Sequence, residues 1–187
     1  MQVLKDKIRN KILAVSENMF YTKGFRNASM RDIANEVGIS VSNLYLYYAN
    51  KEAIFYGVTD GFFRYFINAL ETFLDHDDKD VKTDLAISHI LKKIIISDQM
   101  KFVILTGKSQ GTKYEGFTQH MVMMLNNHMM RQVKKDLVHD NLIIYILAKN
   151  FIEGIIEIAK NYKDEVWLET NINVLVNYHM RGMEYLM

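Results

Sequence analysis

Cysteine is absent from the 187 residues, and so is proline. The first absence removes disulfides, thiolate zinc sites and cysteine nucleophiles together, and it fits a reducing cytoplasm. The second favours long uninterrupted helices over a turn-rich β fold. No apolar run reaches the ~18 residues that a membrane span needs; Lys149, Glu153 and Glu157 interrupt the best candidate. Near the start the only apolar run is Ile12 to Val15, too short for a secretory signal. A cytoplasmic location and no membrane partner are therefore expected. The net charge of +1 by itself indicates no partner.

What is present is ordinary in amount and uneven in placement. Hydrophobic residues make up 49% and charged residues 24%, which excludes a disordered chain. The length suits one domain or two small ones, and about two-thirds of the unfolded surface can be buried. Residues 1–56 hold eight Lys/Arg against five Asp/Glu, whereas the remainder holds fifteen against seventeen. A mildly basic head on a mildly acidic body hints at nucleic-acid contact.

Periodicity predicts nine helices and no sheet, an all-α fold. Ile8, Ile12, Val15 and Met19 line one face of a first helix over about 5–23, with Gly24 placed to cap it. Ser29 starts a second helix, with Asp32 at its positive end; Met30, Ile33, Ala34 and Val37 form its stripe, and Gly38 breaks it. Ser40 starts a short third helix through about Tyr47, and Asn50 caps a fourth that runs to about Leu74. The acidic run Asp75–Asp80 reads as a solvated break. Further helices are expected at roughly 82–97, 99–106, 114–137, 141–162 and 166–186, with residues 107–113 as a loop. The division expected is a three-helix head over 1–50 and a larger helical body over 51–187.

The strongest local signal lies between Arg31 and Leu44. Ala34, Gly38 and Leu44 have the spacing of a helix-turn-helix: a small residue for close helix approach, a glycine for the turn, and a leucine pointing inward. The outer face of the second helix then carries Ser40, Val41, Ser42, Asn43, Leu46 and Tyr47. Asparagine pairs bidentately with adenine, serine bonds bases or phosphates, and aliphatic methyls contact thymine. Tyr45, Tyr47 and Tyr48 cannot all be buried on so short a helix, and an outward hydroxyl is a good phosphate donor. Lys51 adds charge at a helix N-terminus, which already attracts anions.

These residues resemble the tetracycline-repressor (TetR) type of bacterial regulators. The likeness runs through Phe20–Phe25, Ser29–Ala34, Val37–Ser40, Asn43–Tyr48 and Asn50–Glu52, about the first 55 residues. It implies a three-helix DNA-binding head, a larger helical ligand-binding and dimerising body, palindromic operators and release of DNA by a small molecule. Carried over by position, Ser29, Arg31, Ser40, Ser42, Asn43, Tyr45, Tyr47 and Lys51 line the DNA. Val41 stands where many relatives carry lysine, and Leu46 where many carry histidine or arginine; each departure removes a polar contact.

An enzyme reading finds no residues to use. Gly107-Lys108-Ser109 lacks the upstream glycine of a phosphate loop, residues 75–86 lack the glycine and glutamate of a calcium loop, and the six histidines show no metal-binding spacing. No cofactor and no metal are expected. The methionines Met121, Met123, Met124, Met129 and Met130 read first as plain core filling, and alternatively as the lining of a deformable apolar cavity. With the resemblance, an inducer pocket is expected among Met100, Phe102, Tyr114, Phe117, Met121, Met124, Phe151 and Trp167, with His120 or Glu115 as polar anchor. The last two helices are apolar over more than one face, which predicts a homodimer through Ile152, Ile155, Ile156, Ala159, Ile172, Leu175, Val176, His179 and Met183, with Gly154 admitting a partner helix. The function expected is a ligand-responsive regulator, a repressor in the first instance, that binds a palindromic operator as a homodimer. The competing reading is a helical adaptor module that keeps the head without DNA affinity.

Overall fold

Gly24 adopts φ 76° and ψ 163°, a conformation that only glycine takes without strain, and the first helix bends there. The computed structural model describes residues 2–75, 83–134 and 140–186. Among them are eight helices and no strand: α1 (Gln2–Asn27), α2 (Met30–Val37), α3 (Val41–Tyr45), α4 (Lys51–Asp75), α5 (Thr83–Gly107), α6 (Phe117–Gln132), α7 (Leu142–Lys160) and α8 (Glu165–Leu186). The all-α expectation holds. The ninth helix disappears because 82–97 and 99–106 belong to one element, bent at Asp98 with φ −144° and ψ 35°.

Two further differences concern ends. The third helix stops at Tyr45 rather than Tyr47, because the N–H groups of Leu46 and Tyr47 donate three residues back, to Asn43 and Leu44. The tighter turn ends the α-helix. The sixth stops at Gln132, since Val133 is extended at ψ 146°; the predicted continuation over 135–137, like the acidic run at 76–80, lies outside the described residues. Residues 114–116 precede this helix as turns rather than forming its first turn.

The chain forms two compact units: Met1–Tyr65 with Met100–Glu115, and Phe66–Gln99 with Gly116–Met187. The core of the first gathers Ile12, Phe20, Ile33, Ala34, Leu44, Ile54 and Phe55, each fully buried. Phe20, Phe25 and Phe55 form a ring trio with centroids 5.1–6.1 Å apart, an arrangement that adds to plain burial. Residues 107–115 join this unit through several ties, among them the Lys113–Asp60 ion pair and two hydrogen bonds. The Phe25 N–H donates to the Lys108 carbonyl at 2.9 Å, and the Tyr114 hydroxyl donates to Asp60 Oδ1 at 2.5 Å. Burial and the Asp60 bond push the Tyr114 phenol up to about 12.

The second unit packs α7 and α8 by way of a glycine. A Cβ on Gly154 would meet the Leu175 methyls at 3.1 Å, so the close approach that glycine permits is taken by α8 of the same chain. Gln99 Nε2 donates to the Ala159 carbonyl at 2.7 Å and closes the end of α7. Asp164 caps α8 by accepting from the Trp167 N–H at 2.8 Å. No helix is long and apolar enough to cross a membrane, among the described residues.

Candidate nucleic-acid interface

The helix-turn-helix is built by caps. The Asp32 N–H donates to Ser29 Oγ at 3.1 Å, and the Asn43 N–H to Ser40 Oγ at 3.1 Å, so each serine satisfies an orphan donor of the helix it starts. Gly38 is left-handed at φ 79°, ψ 35°, and its N–H returns to Ala34 and Asn35. Ala34 and Leu44 are fully buried in the corner, which leaves the opposite face of α3 to solvent. Asn50 Oδ1 accepts from Ala53 N–H at 2.7 Å and opens α4.

The nominated DNA residues divide by exposure. Ser29, Arg31, Ser40, Ser42 and Tyr45 are exposed, while Asn43 and Tyr47 are half-buried. Tyr45 is 52% exposed and Leu46 83%, so the outward side of the aromatic run is an aromatic and an aliphatic group side by side. Tyr48 turns inward: Gly57 leaves room for it, a Cβ there meeting its ring at 3.5 Å. Burial pushes the Tyr48 phenol up, and the Arg9 guanidinium over its ring pulls the other way.

Two lysines of the basic head serve the fold. Lys11 Nζ donates to the Val37 carbonyl at 2.8 Å, at the end of α2. Lys51 Nζ donates to the carbonyls of Phe25 at 2.6 Å and Ala28 at 2.8 Å, with Arg26 at 3.4 Å. Its ammonium is thus engaged within the chain. Sequence reasoning missed both roles, since the carbonyls concerned lie 23 to 26 residues away along the chain.

The expected pocket residues fall in both units, Met100, Phe102, Tyr114 and Glu115 in the first and the rest in the second. Phe102, Tyr114, Phe117, Met121 and Phe151 are buried, and Met100, Met124 and Trp167 are half-buried. The two expected anchors are not interior groups. His120 is exposed, and Glu115 is exposed with Oε2 accepting from the Gly111 N–H at 3.0 Å. A buried polar group is Asn126, which lies in the buried face of α6 with Met121, Val122, Leu125 and Met129. Its Oδ1 has no hydrogen-bond partner among the described residues. An amide interrupting an apolar stripe was the readable sign.

Most of the nominated dimer residues are already buried within the single chain. Ile152, Ile155, Ile156, Ala159, Ile172, Val176 and Met183 lie within the second unit, at most 7% exposed. Leu175 packs on Gly154, and the His179 ring stacks on Phe151 at 4.2 Å; burial lowers the His179 pKa to about 4. Within the chain α7 packs on both α6 and α8, so much of that stripe is covered there. What remains open is the surplus beside it: Val166, Val174, Tyr178 and Tyr185 on α8, and Leu142, Ile143 and Ile146 on α7.

Comparison with known proteins follows the same division. The family model described as "Bacterial regulatory proteins, tetR family" matches residues 12–58. The biofilm operon icaADBC HTH-type negative transcriptional regulator IcaR of Staphylococcus epidermidis is 34% identical over 71 residues. That match spans 38% of this chain and 37% of IcaR. A TetR-family transcriptional regulator from Bordetella parapertussis shares the fold with a TM-score of 0.71 at 18% identity, over 96% of this chain and 97% of that one. A TetR-like regulator from Rhodococcus sp. RHA1 does so with a TM-score of 0.64 at 17% identity, over 94% and 96%. Over residues 12–58 the head is thus similar to the tetR family of bacterial regulatory proteins, and the fold of the chain is that of solved TetR-like regulators.

Proposed function

We propose that the chain is a transcriptional regulator, acting as a repressor, that binds an operator as a homodimer and is released by a small molecule. The observation that carries the reading is the capped, exposed α3 set on the Ala34–Gly38–Leu44 corner, within the segment that matches the family. IcaR is a negative regulator, which favours repression here. Asn43 and Ser42 face base edges, with Tyr45, Tyr47, Ser29, Ser40 and Arg31 on phosphates. Leu46 offers methyl groups for thymine contact in place of a polar side chain.

The second copy docks on the open surplus of α7 and α8. Val174 and Tyr178 lie at its centre, and a two-fold axis there would pair each helix with its counterpart. The inducer is an apolar or amphipathic molecule, for which Asn126 supplies the buried polar contact that His120 and Glu115 do not. The test is selection of bound duplexes from a random pool. An inverted repeat bound with strong salt dependence is expected; enrichment of a site without two-fold symmetry would overturn the dimeric reading, and no enrichment would favour the adaptor.

A further inference from the structure

We propose that Lys51 is a positioning residue of the head: its ammonium clamps the turn between α1 and α2, fixes the helix-turn-helix on the start of α4, and makes no contact with DNA. This inference rests on the DNA-binding reading above. An ammonium has three N–H donors. Two point at carbonyls 2.6 and 2.8 Å away, and the third carbonyl lies at 3.4 Å. The Phe25 ring sits 4.3 Å below the same nitrogen, so the charge is held from a fourth side. Reaching a phosphate would strip those carbonyls of their donor, which costs more than a surface contact returns.

The clamped atoms have reason to want a cation. Carbonyls at the end of α1 lack partners inside the helix, and the helix dipole places negative charge there. Gly24 has already turned the chain away, and Phe25 is tied by its N–H to Lys108, so its carbonyl is presented in a fixed direction. From Ala28 only Ser29 intervenes before α2 begins at Met30. The attitude of α2 therefore depends on that turn, and α3 follows through the Gly38 corner. On the other side, Asn50 pins the first turn of α4, where Lys51 is rooted. Carbonyls converging on one point suit a compact ammonium; a flat guanidinium spreads its donors in a plane and fits poorly.

The absence of cysteine makes a direct test available. Lys51→Cys gives a single thiol. Aminoethylation in denaturant followed by refolding rebuilds an ammonium at lysine length, whereas attaching a trimethylammonioethyl group restores the charge without an N–H. Affinity is measured over a salt series on the duplex that the wild type enriches from the random pool. Lys51→Cys should bind about ten- to a hundredfold more weakly with an unchanged salt slope. The aminoethyl form should recover wild-type affinity and the trimethyl form should not. A slope lower by about one per subunit, the mark of a lost phosphate contact, or rescue by the trimethyl group, overturns the proposal. Hydrogen exchange without DNA judges the clamp separately: the amides of Ala28 and Asp32 should exchange faster in Lys51→Cys and in Lys51→Met, which keeps the stem over Phe25. Unchanged exchange overturns the clamp, whereas a wild type that enriches no duplex sinks the DNA-binding reading and leaves the exchange result standing.

Discussion

The head and the α7–α8 pair are specified by different kinds of information. In the head, the polar atoms that start and stop helices sit where short motifs place them: Ser29, Ser40 and Asn50 accept at helix N-termini, and Gly38 turns left-handed after α2. In α7 and α8 the apolar pattern correctly announces two strongly buried helices. It does not say what covers them; Ile155, Ile172 and Val176 are already buried within their own chain. A cap is decided within four residues. The partner of an apolar stripe is decided by residues that are distant in sequence.

The largest test of this contrast sets a buried position against an exposed one. Ile155→Glu places a charge at a site only 4% exposed and should unfold the second unit, costing more than about 4 kcal/mol. The pair Val174→Glu with Tyr178→Glu lies on the open surplus. It should leave monomer stability within about 1 kcal/mol while abolishing the dimer at micromolar concentration by sedimentation. Should Ile155→Glu give a folded monomer instead, the assignment of faces is reversed.

A smaller effect follows from His179. Its ring stays neutral in the fold down to about 4, while the unfolded chain takes up that proton near 6.5. Between these values the unfolded state binds more protons, so stability falls as pH drops through this window and is unaffected above it. The loss reaches about 3 kcal/mol at most. Urea midpoints at pH 4.5 and 7 should differ by less in His179→Leu than in the wild type; an equal difference would remove His179 from the account. Smaller still, Ser29→Ala or Ser40→Ala should each cost about 1 kcal/mol by thermal melting, with a proportionate loss of operator affinity. A neutral result at both would show that the corner is held by Ala34 and Leu44 packing alone.

Several features were legible because they are local. The bend at Asp98 fell between two predicted helices, and the Gly24 cap is where the periodicity stops. Lys51 was legible as a cation at a helix start, yet a sequence cannot show that carbonyls from 23 to 26 residues earlier converge on it. Gly57 and Gly154 gave no turn signal, since both lie inside helices. Their meaning is the side chain each admits, Leu13 with Tyr48 for one and Leu175 for the other. Asn126 stood out only against its apolar neighbours, and its unpartnered oxygen needs the packing of α6 to be seen.

The first compact unit is not continuous along the chain: Met1–Tyr65 is completed by Met100–Glu115. During synthesis, the head must therefore wait for about fifty further residues before its last piece emerges, a delay of roughly 3–10 s at ordinary elongation rates. For that interval the nascent head lacks Lys108 for Phe25 and Tyr114 for Asp60. A fragment cut after residue 65 would be frozen at that unfinished stage.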